Sequence, residues 1–143
     1  MAGRKLSSGV VLLALVLAGC SADPYAQWKD LGAVYCTQVP LPQDAKFQDA
    51  EGGGHGERSQ NQHSESMAYW FNTRETPERL VAFYEKAFPT AVKEVGADGV
   101  TTFRVTPDGA QEGEQVSITV HTDGKIQIGE ETKAGRHQDT GTL

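Results

Sequence analysis

A short apolar run near the start of the chain limits what the rest can fold into. Residues 10–18 are all aliphatic, and Arg4 and Lys5 precede them. A membrane-spanning helix needs about 20 apolar residues, so this run is too short to be one. Basic residues, a short apolar segment and small residues after it are the three parts of a secretory signal. The sequence therefore predicts that residues 1–19 are a signal peptide and that folding concerns the chain after them.

The four residues at the end of the apolar run match a known sequence motif in order and position. Leu17, Ala18, Gly19 and Cys20 resemble the lipobox of bacterial lipoproteins. In proteins with that motif the cysteine thiol is diacylglycerated, signal peptidase II cuts before it, and the new amino terminus is usually acylated. The resemblance implies that Cys20 is the first mature residue and the lipidation site. An ordinary secretory signal with an incidental cysteine, or an apolar N-terminus that is not cleaved, is the alternative.

The same resemblance implies a cellular location. A lipidated Cys20 would hold the protein in the cell envelope, on the outside of the cytoplasmic membrane. In a Gram-negative cell, Ser21 in place of Asp after the lipid implies the outer membrane, facing the periplasm. Two or three acyl chains anchor a protein stably, whereas one chain binds marginally. The expected partners are the membrane, through the lipid, and an envelope protein or cell-wall component.

The charge balance excludes one class of partner. The precursor has 13 Lys and Arg against 19 Asp and Glu, a net charge of −6. Two of the basic residues, Arg4 and Lys5, leave with the signal and no acidic residue does, so the mature chain carries −8. Binding to nucleic acid needs clustered basic residues. We therefore expect no nucleic-acid partner, and no polybasic attachment to anionic lipid.

Cysteine content limits the covalent chemistry. The chain has two cysteines, and if Cys20 is a thioether then Cys36 has no partner for an intramolecular disulfide. The neighbours Val34 and Tyr35 favour burial of Cys36 as a small apolar residue. Dimerisation through this thiol, or redox chemistry, stays open.

Two prolines set the predicted domain boundary. Pro40 and Pro42 enclose a stiff, non-helical stretch, and we place the boundary at Pro40. Before it, Asp23 and Pro24 favour a short helix, and residues 34–39 are compatible with extended chain. The predicted parts are a signal peptide at 1–19, a lipid-anchored linker with a possible short helix at 20–39, a small domain at 40–130 and a disordered tail at 131–143.

Hydrophobic periodicity predicts the fold of the domain. Alternation at residues 67–72, 100–106, 115–121 and 125–129 predicts strands, and 43–47 allows a further short one. Thr76 as N-cap and Pro77 as first residue predict a helix to about Phe88. Residues 52–66, glycine-rich and polar, are expected to be a loop, and Val92 and Val95 fit either a loop or a short strand. We predict an α+β fold, a small antiparallel sheet of about four strands with one main helix packed on one face.

This arrangement loosely resembles small domains in uncharacterised bacterial lipoproteins. The resemblance rests on Pro40, Pro42, the Thr76-Pro77-Glu78 helix start and the Phe83-Tyr84 pair. Such motifs concern helix capping and packing, so the resemblance implies a fold and no activity.

No group of residues predicts catalysis. His55 and His63 each stand two residues before a glutamate, and these side chains could be ligands of zinc or copper. The glycine-rich, polar residues around them do not indicate the rigid surroundings that a metal site needs. The chain has no Gly-x-Ser-x-Gly, no phosphate loop and no Cys-x-x-Cys. The paired acids 112 with 114 and 130 with 131 are expected to be exposed. We therefore predict a non-catalytic binding or structural module without a cofactor; the alternative is a metal-binding or thiol-reactive enzyme using His55, His63 or Cys36.

The sheet face away from the helix is predicted to be polar. Trp70 should share this face with a set of mostly polar side chains: Thr102, Arg104, Ser117, Thr119, His121, Lys125 and Gln127. An ordinary solvated sheet is the favoured interpretation, because isolated exposed aromatic residues are common. A docking surface is the alternative.

For protein extracted from membranes, we expect an intact mass that corresponds to a chain beginning at Cys20 with diacylglycerol attached. Cys20→Ser removes the acceptor thiol, so that variant should carry no lipid. Mass spectrometry of the two proteins checks the assignment. A wild-type chain without lipid would contradict it and would leave Cys20 and Cys36 free to form a disulfide.

Overall fold

The computed structural model describes residues 23–53 and 64–133. The predicted signal peptide, Cys20, His55, His63 and residues 134–143 lie outside the described residues. The helices are α1 (Ala26–Asp30) and α2 (Pro77–Ala87), with a 3₁₀ turn at Cys36–Gln38. The strands are β1 (Lys46–Gly53), β2 (Ser64–Asn72), β3 (Val92–Val95), β4 (Thr101–Val105), β5 (Gln115–Val120) and β6 (Ile126–Lys133).

The described strands form one antiparallel sheet of six, in the order β1-β2-β6-β5-β4-β3. The α+β class is confirmed, and the expected count of about four strands is wrong. The two additional strands, β1 and β3, lie at the edges of the sheet. β3 carries Val92 and Val95 exposed, at 61% and 66%, so it shows no buried alternation. β1 extends into Gly52 and Gly53, which are residues that strands generally disfavour.

One face of the sheet builds the core. Met67, Tyr69 and Phe71 of β2 are buried, as their alternation predicts. Ile126 and Ile128 of β6 lie opposite Phe71 and Tyr69 in the register. The same alternation buries the inward residues of the two strands beyond β6: Val116, Ile118, Val120, Thr101 and Phe103. We call this side the core face.

Helix α2 covers part of the core face. The Thr76 side chain accepts a hydrogen bond from the Arg79 backbone N–H at 3.3 Å, and Pro77 opens the helix, which confirms the predicted start. Leu80 and Tyr84 are buried, and the Tyr84 ring lies 6.2 Å from that of Phe103. The helix therefore lies over the β5–β4 side of the sheet.

The segment before Pro40 covers the remainder of the core face. The prediction that this segment is a linker, with the domain boundary at Pro40, is therefore wrong. A short helix forms in the predicted stretch, two residues later than the predicted start, and its Trp28 is fully buried. The Trp28 ring lies 5.1 Å from Tyr69 and 5.3 Å from Phe71, centroid to centroid. The three-residue spacing of the apolar side chains favours a helix here, but it does not show that this indole packs on the sheet of the domain. The described residues before Pro40 therefore belong to the domain.

This covering segment, residues 23–42, is called the strap below. Tyr35, Cys36 and Val39 are buried in it, and residues 36–38 form a 3₁₀ turn where extended chain was expected. A 3₁₀ turn shortens the chain, and here it places Cys36 and Val39 over the core while Thr37 between them stays exposed. The strap is thus a structural layer of the domain.

Strands extend into both the predicted loop at residues 52–66 and the predicted tail. Residues 52–53 belong to β1 and residues 64–66 to β2. β6 continues to Lys133, where it pairs with Ser64, so the tail does not begin at residue 131. Glu130 and Thr132 are buried on the core face of this extension. Polar composition led to the wrong assignment, because the strand is held by backbone pairing and its buried polar side chains are covered by other parts of the fold.

Trp28→Ala should lower the free energy of unfolding by about 3–5 kcal/mol, since it empties a large, fully buried site. Gln27→Ala, at the exposed neighbouring position of α1, should change it by less than about 0.5 kcal/mol. Urea unfolding of both variants, made without residues 1–19 and with Cys20→Ser, measures the difference. Equal stabilities would mean that the strap contributes no core packing.

Candidate docking surface

The side of the sheet opposite to the helices is called the open face. The register places the Trp70, Gln127, Thr119 and Thr102 side chains in one row across four strands. The Thr102 and Thr119 hydroxyls lie 3.2 Å apart. The next row contains Ala68, Gly129 and Ser117, so small side chains lie beside the indole. The predicted shared face of Trp70 and these polar residues is confirmed.

Trp70 is held in a fixed orientation on the open face. Its ring stacks on His121, with centroids 5.0 Å apart and planes at 29°. The His121 Nε2 in turn lies 3.1 Å from the Gln127 Oε1. Trp70 is half-buried, so part of the indole stays accessible. An aromatic ring fixed in this way offers apolar area at a low entropic cost.

A cavity of about 200 Å³ lies beside the indole. Gln48, Asp49 and Lys125 line it together with Trp70. β1 has an irregularity between Phe47 and Asp49, where one extra residue enters the strand. Such bulges redirect side chains, and here Gln48 and Asp49 both reach the cavity. The site combines a ring, a carboxylate, an amide and an ammonium group.

The cavity residues of β1 were missed by sequence reasoning. Trp70 and Lys125 follow from strand alternation, but a bulge depends on how β1 pairs with β2. No turn residue or proline marks it in the sequence. Asp49 accepts a hydrogen bond from the Ala50 N–H at 2.7 Å, which uses one of its carboxylate oxygens locally.

The buried acids of the core face have structural partners. Glu130 accepts hydrogen bonds from the backbone N–H groups of Val34 at 3.0 Å and Tyr35 at 2.9 Å. Glu114 accepts from the Tyr35 hydroxyl at 2.5 Å and from the Lys133 N–H at 2.8 Å. The expectation that Glu114 and Glu130 are exposed is therefore wrong. Both acids hold the strap or the end of the sheet.

Cys36 is not in an activating environment. The thiol is buried, and burial raises its pKa, with the negative charge of Glu130 acting in the same direction. A reactive cysteine needs a lowered pKa and access to solvent. The geometry around Cys36 therefore matches the predicted apolar role.

The histidines do not converge on a metal site in the part of the chain that is described. Across residues 23–53 and 64–133, no three His, Cys, Asp or Glu side chains are arranged to hold a metal ion. His121 instead stacks on Trp70. His55 and His63 lie outside the described residues, and so does the metal hypothesis that uses them.

Two larger cavities lie along the edges of the strap. One of about 350 Å³ includes Val39, Phe88 and Val105, and one of about 300 Å³ includes Pro42 and Phe83. Gln38 and Asp108 line the first, and the Gln38 amide exchanges two hydrogen bonds with the Asp108 backbone at 2.8 and 2.6 Å. These cavities are seams between packed segments, whereas the Trp70 cavity opens on a sheet face.

Comparison of the chain with protein-family models, curated proteins and solved structures finds no match. None of the described helices has the length and apolar content to cross a membrane.

The burial of Cys36 predicts slow thiol chemistry. In a Cys20→Ser protein at pH 8, we expect alkylation by iodoacetamide to be at least about 100-fold slower in the native state than in urea, because burial and the raised pKa both suppress the thiolate. A matched control is Cys36→Ser with Thr37→Cys, which moves the thiol to the exposed neighbouring position. Equal native rates at the two positions would contradict the structural role and favour a reactive thiol.

Proposed function

We propose that this chain is a lipid-anchored cell-envelope protein that acts as a non-catalytic binding module, with the open face around Trp70 as its docking surface. The observation that carries the proposal is the Trp70 ring, fixed by His121 and bordered by a polar cavity. A sheet face that only contacts water gains no stability from a half-exposed indole stacked beside a cavity. The docking alternative is therefore preferred over the plain solvated sheet.

The anchor is supported by the sequence. Leu17 to Cys20 has the order and position of a lipobox, and the apolar run before it is too short to span a membrane. Lipid on Cys20 would hold the domain at an envelope membrane, and the net charge of the mature chain disfavours nucleic acid.

The cavity chemistry favours a glycan-containing cell-wall component as the partner. A sugar ring has an apolar C–H face, which packs on an indole, and hydroxyl groups around its edge. Asp49, Gln48 and Lys125 place acceptors and donors around Trp70, as such a rim of hydroxyls requires. A protein partner on the same face is the second outcome that the experiment below separates.

The enzymatic alternative has less support. Cys36 is buried with a raised pKa, which disfavours a thiol nucleophile. The version that uses His55 or His63 has no observation among the described residues in its favour. We therefore propose no catalytic residue and no cofactor.

Binding to purified cell walls tests the docking surface. Trp70→Ala should weaken co-sedimentation of the protein with cell walls by at least tenfold, about 1.4 kcal/mol, since it removes the stacking ring. The matched control is Phe83→Ala, which removes a 37% exposed aromatic ring from α2 on the other side of the domain. Thermal melting of both variants confirms that they are folded.

The outcomes are distinct. Loss of binding in Trp70→Ala alone supports the glycan-binding open face. Equal binding by all three proteins places the contact elsewhere, and no binding by the wild type directs the search to a protein partner. Photo-crosslinking from Thr119, on the same face, would then identify it.

A further inference from the structure

The distance between the lipidation site and the folded domain is very short. Ser21 and Ala22 are the only residues between Cys20 and Asp23. Consecutive Cα atoms lie 3.8 Å apart, so the Cα of Asp23 is at most about 11 Å from that of Cys20. The domain therefore has little freedom to move away from whatever holds Cys20.

Asp23 is already part of the rigid structure. Its side chain accepts a hydrogen bond from the Tyr25 N–H at 2.9 Å, and its carbonyl accepts one from the Ala26 N–H at 3.1 Å. The Lys29 ammonium lies 3.1 Å from the Asp23 carboxylate. The Tyr25 hydroxyl then donates to the Val39 carbonyl at 2.9 Å. These contacts hold Asp23 on α1, and α1 packs on the core.

The strap leaves the domain on the side of the core face. α1 packs through Trp28 on Tyr69 and Phe71, both of which point away from the open face. Packed layers lie about 10 Å apart, and their outward side chains bring the thickness of the domain to roughly 20 Å. The start of the strap and the open face are thus on opposite sides of the molecule.

We propose that a lipid bilayer lies against the α1 side of the domain and that the Trp70 face is directed away from it. The inference rests on the lipidation of Cys20 in the proposed function. With the open face on the bilayer, Asp23 would stand roughly 20 Å above the surface, and a tether of about 11 Å does not reach that height. The chain length between residues 20 and 23 therefore excludes an orientation in which the open face lies flat on the bilayer.

The α1 surface carries one exposed apolar side chain and no excess of positive charge. Leu31, at the end of the helix, is 44% exposed, whereas Lys29 is paired with Asp23 and stands beside the exposed Asp30. Attraction to anionic lipid therefore does not hold this surface on the bilayer. The attachment is supplied by the lipid, and the short tether limits how the domain rests on the surface.

The orientation is tested with the full lipidated protein in vesicles of phosphatidylethanolamine and phosphatidylglycerol that contain headgroup spin-labelled lipid. Fluorophores are attached in a Cys36→Ser background to Gln27→Cys on α1 or to Thr119→Cys on the open face. Spin-labelled lipid should quench the fluorophore at position 27 at least threefold more than that at 119. Equal quenching, or stronger quenching at 119, would overturn the proposal.

A longer tether provides the control. Inserting about 20 Gly and Ser residues between Ala22 and Asp23 extends the mean reach to roughly 25 Å and should make quenching at the two positions alike. A difference that persists would show that tether length does not set the orientation, and would overturn the argument.

Failure of the anchor is recognised separately. An intact mass without lipid, together with protein that stays free of the vesicles, overturns the lipidation and the orientation together. Lipidated protein on vesicles with equal quenching overturns only the orientation. Cell-wall binding is measured in another assay, so its loss leaves the orientation result unchanged.

Discussion

The Glu130 carboxylate holds the strap on the sheet. It is buried on β6, and both of its oxygens accept backbone N–H groups, from Val34 and Tyr35, about 95 residues earlier in the chain. Charge-assisted hydrogen bonds of this kind are stronger than neutral ones, and each buried amide left without a partner costs about 1–3 kcal/mol. Once residues 34 and 35 are fixed, Trp28 on one side and Cys36 on the other close over the core. The strap and α2 together then complete a two-layer domain.

The predictable part of this fold is local. Alternation at Met67, Tyr69 and Phe71, and the Thr76-Pro77 start of α2, each follow from neighbouring residues, and the structure confirms them. The Asp123-Gly124 turn likewise connects β5 to β6 as its residues indicate. In all these elements the side-chain pattern and the backbone structure repeat over the same few residues, so a single sequence contains the necessary information.

The parts that sequence reasoning missed depend on distant partners. Glu130 and Glu114 look like solvated acids, and only the strap brings backbone amides and the Tyr35 hydroxyl to them. Trp28 has helical spacing with its apolar neighbours, but that spacing does not show which distant strand it packs on. The Trp70 site was half predictable, since alternation gives the indole and His121, whereas Asp49 reaches it through a bulge that only strand pairing defines.

In the proposed lipidated form, the strap that stabilises the fold also limits the distance between the open face and the membrane. While Glu130 holds residues 34 and 35, the Cα atoms of Cys20 and Asp23 are at most about 11 Å apart. Release of the strap up to Pro42 would add about 20 residues to that link, or as much as roughly 65 Å of extended chain. A partner bound at Trp70 would then be met at a variable distance from the membrane. In that form the hydrogen bonds of Glu130, together with those of Tyr35 and Gln38, would couple the packing of the core to the position of the open face.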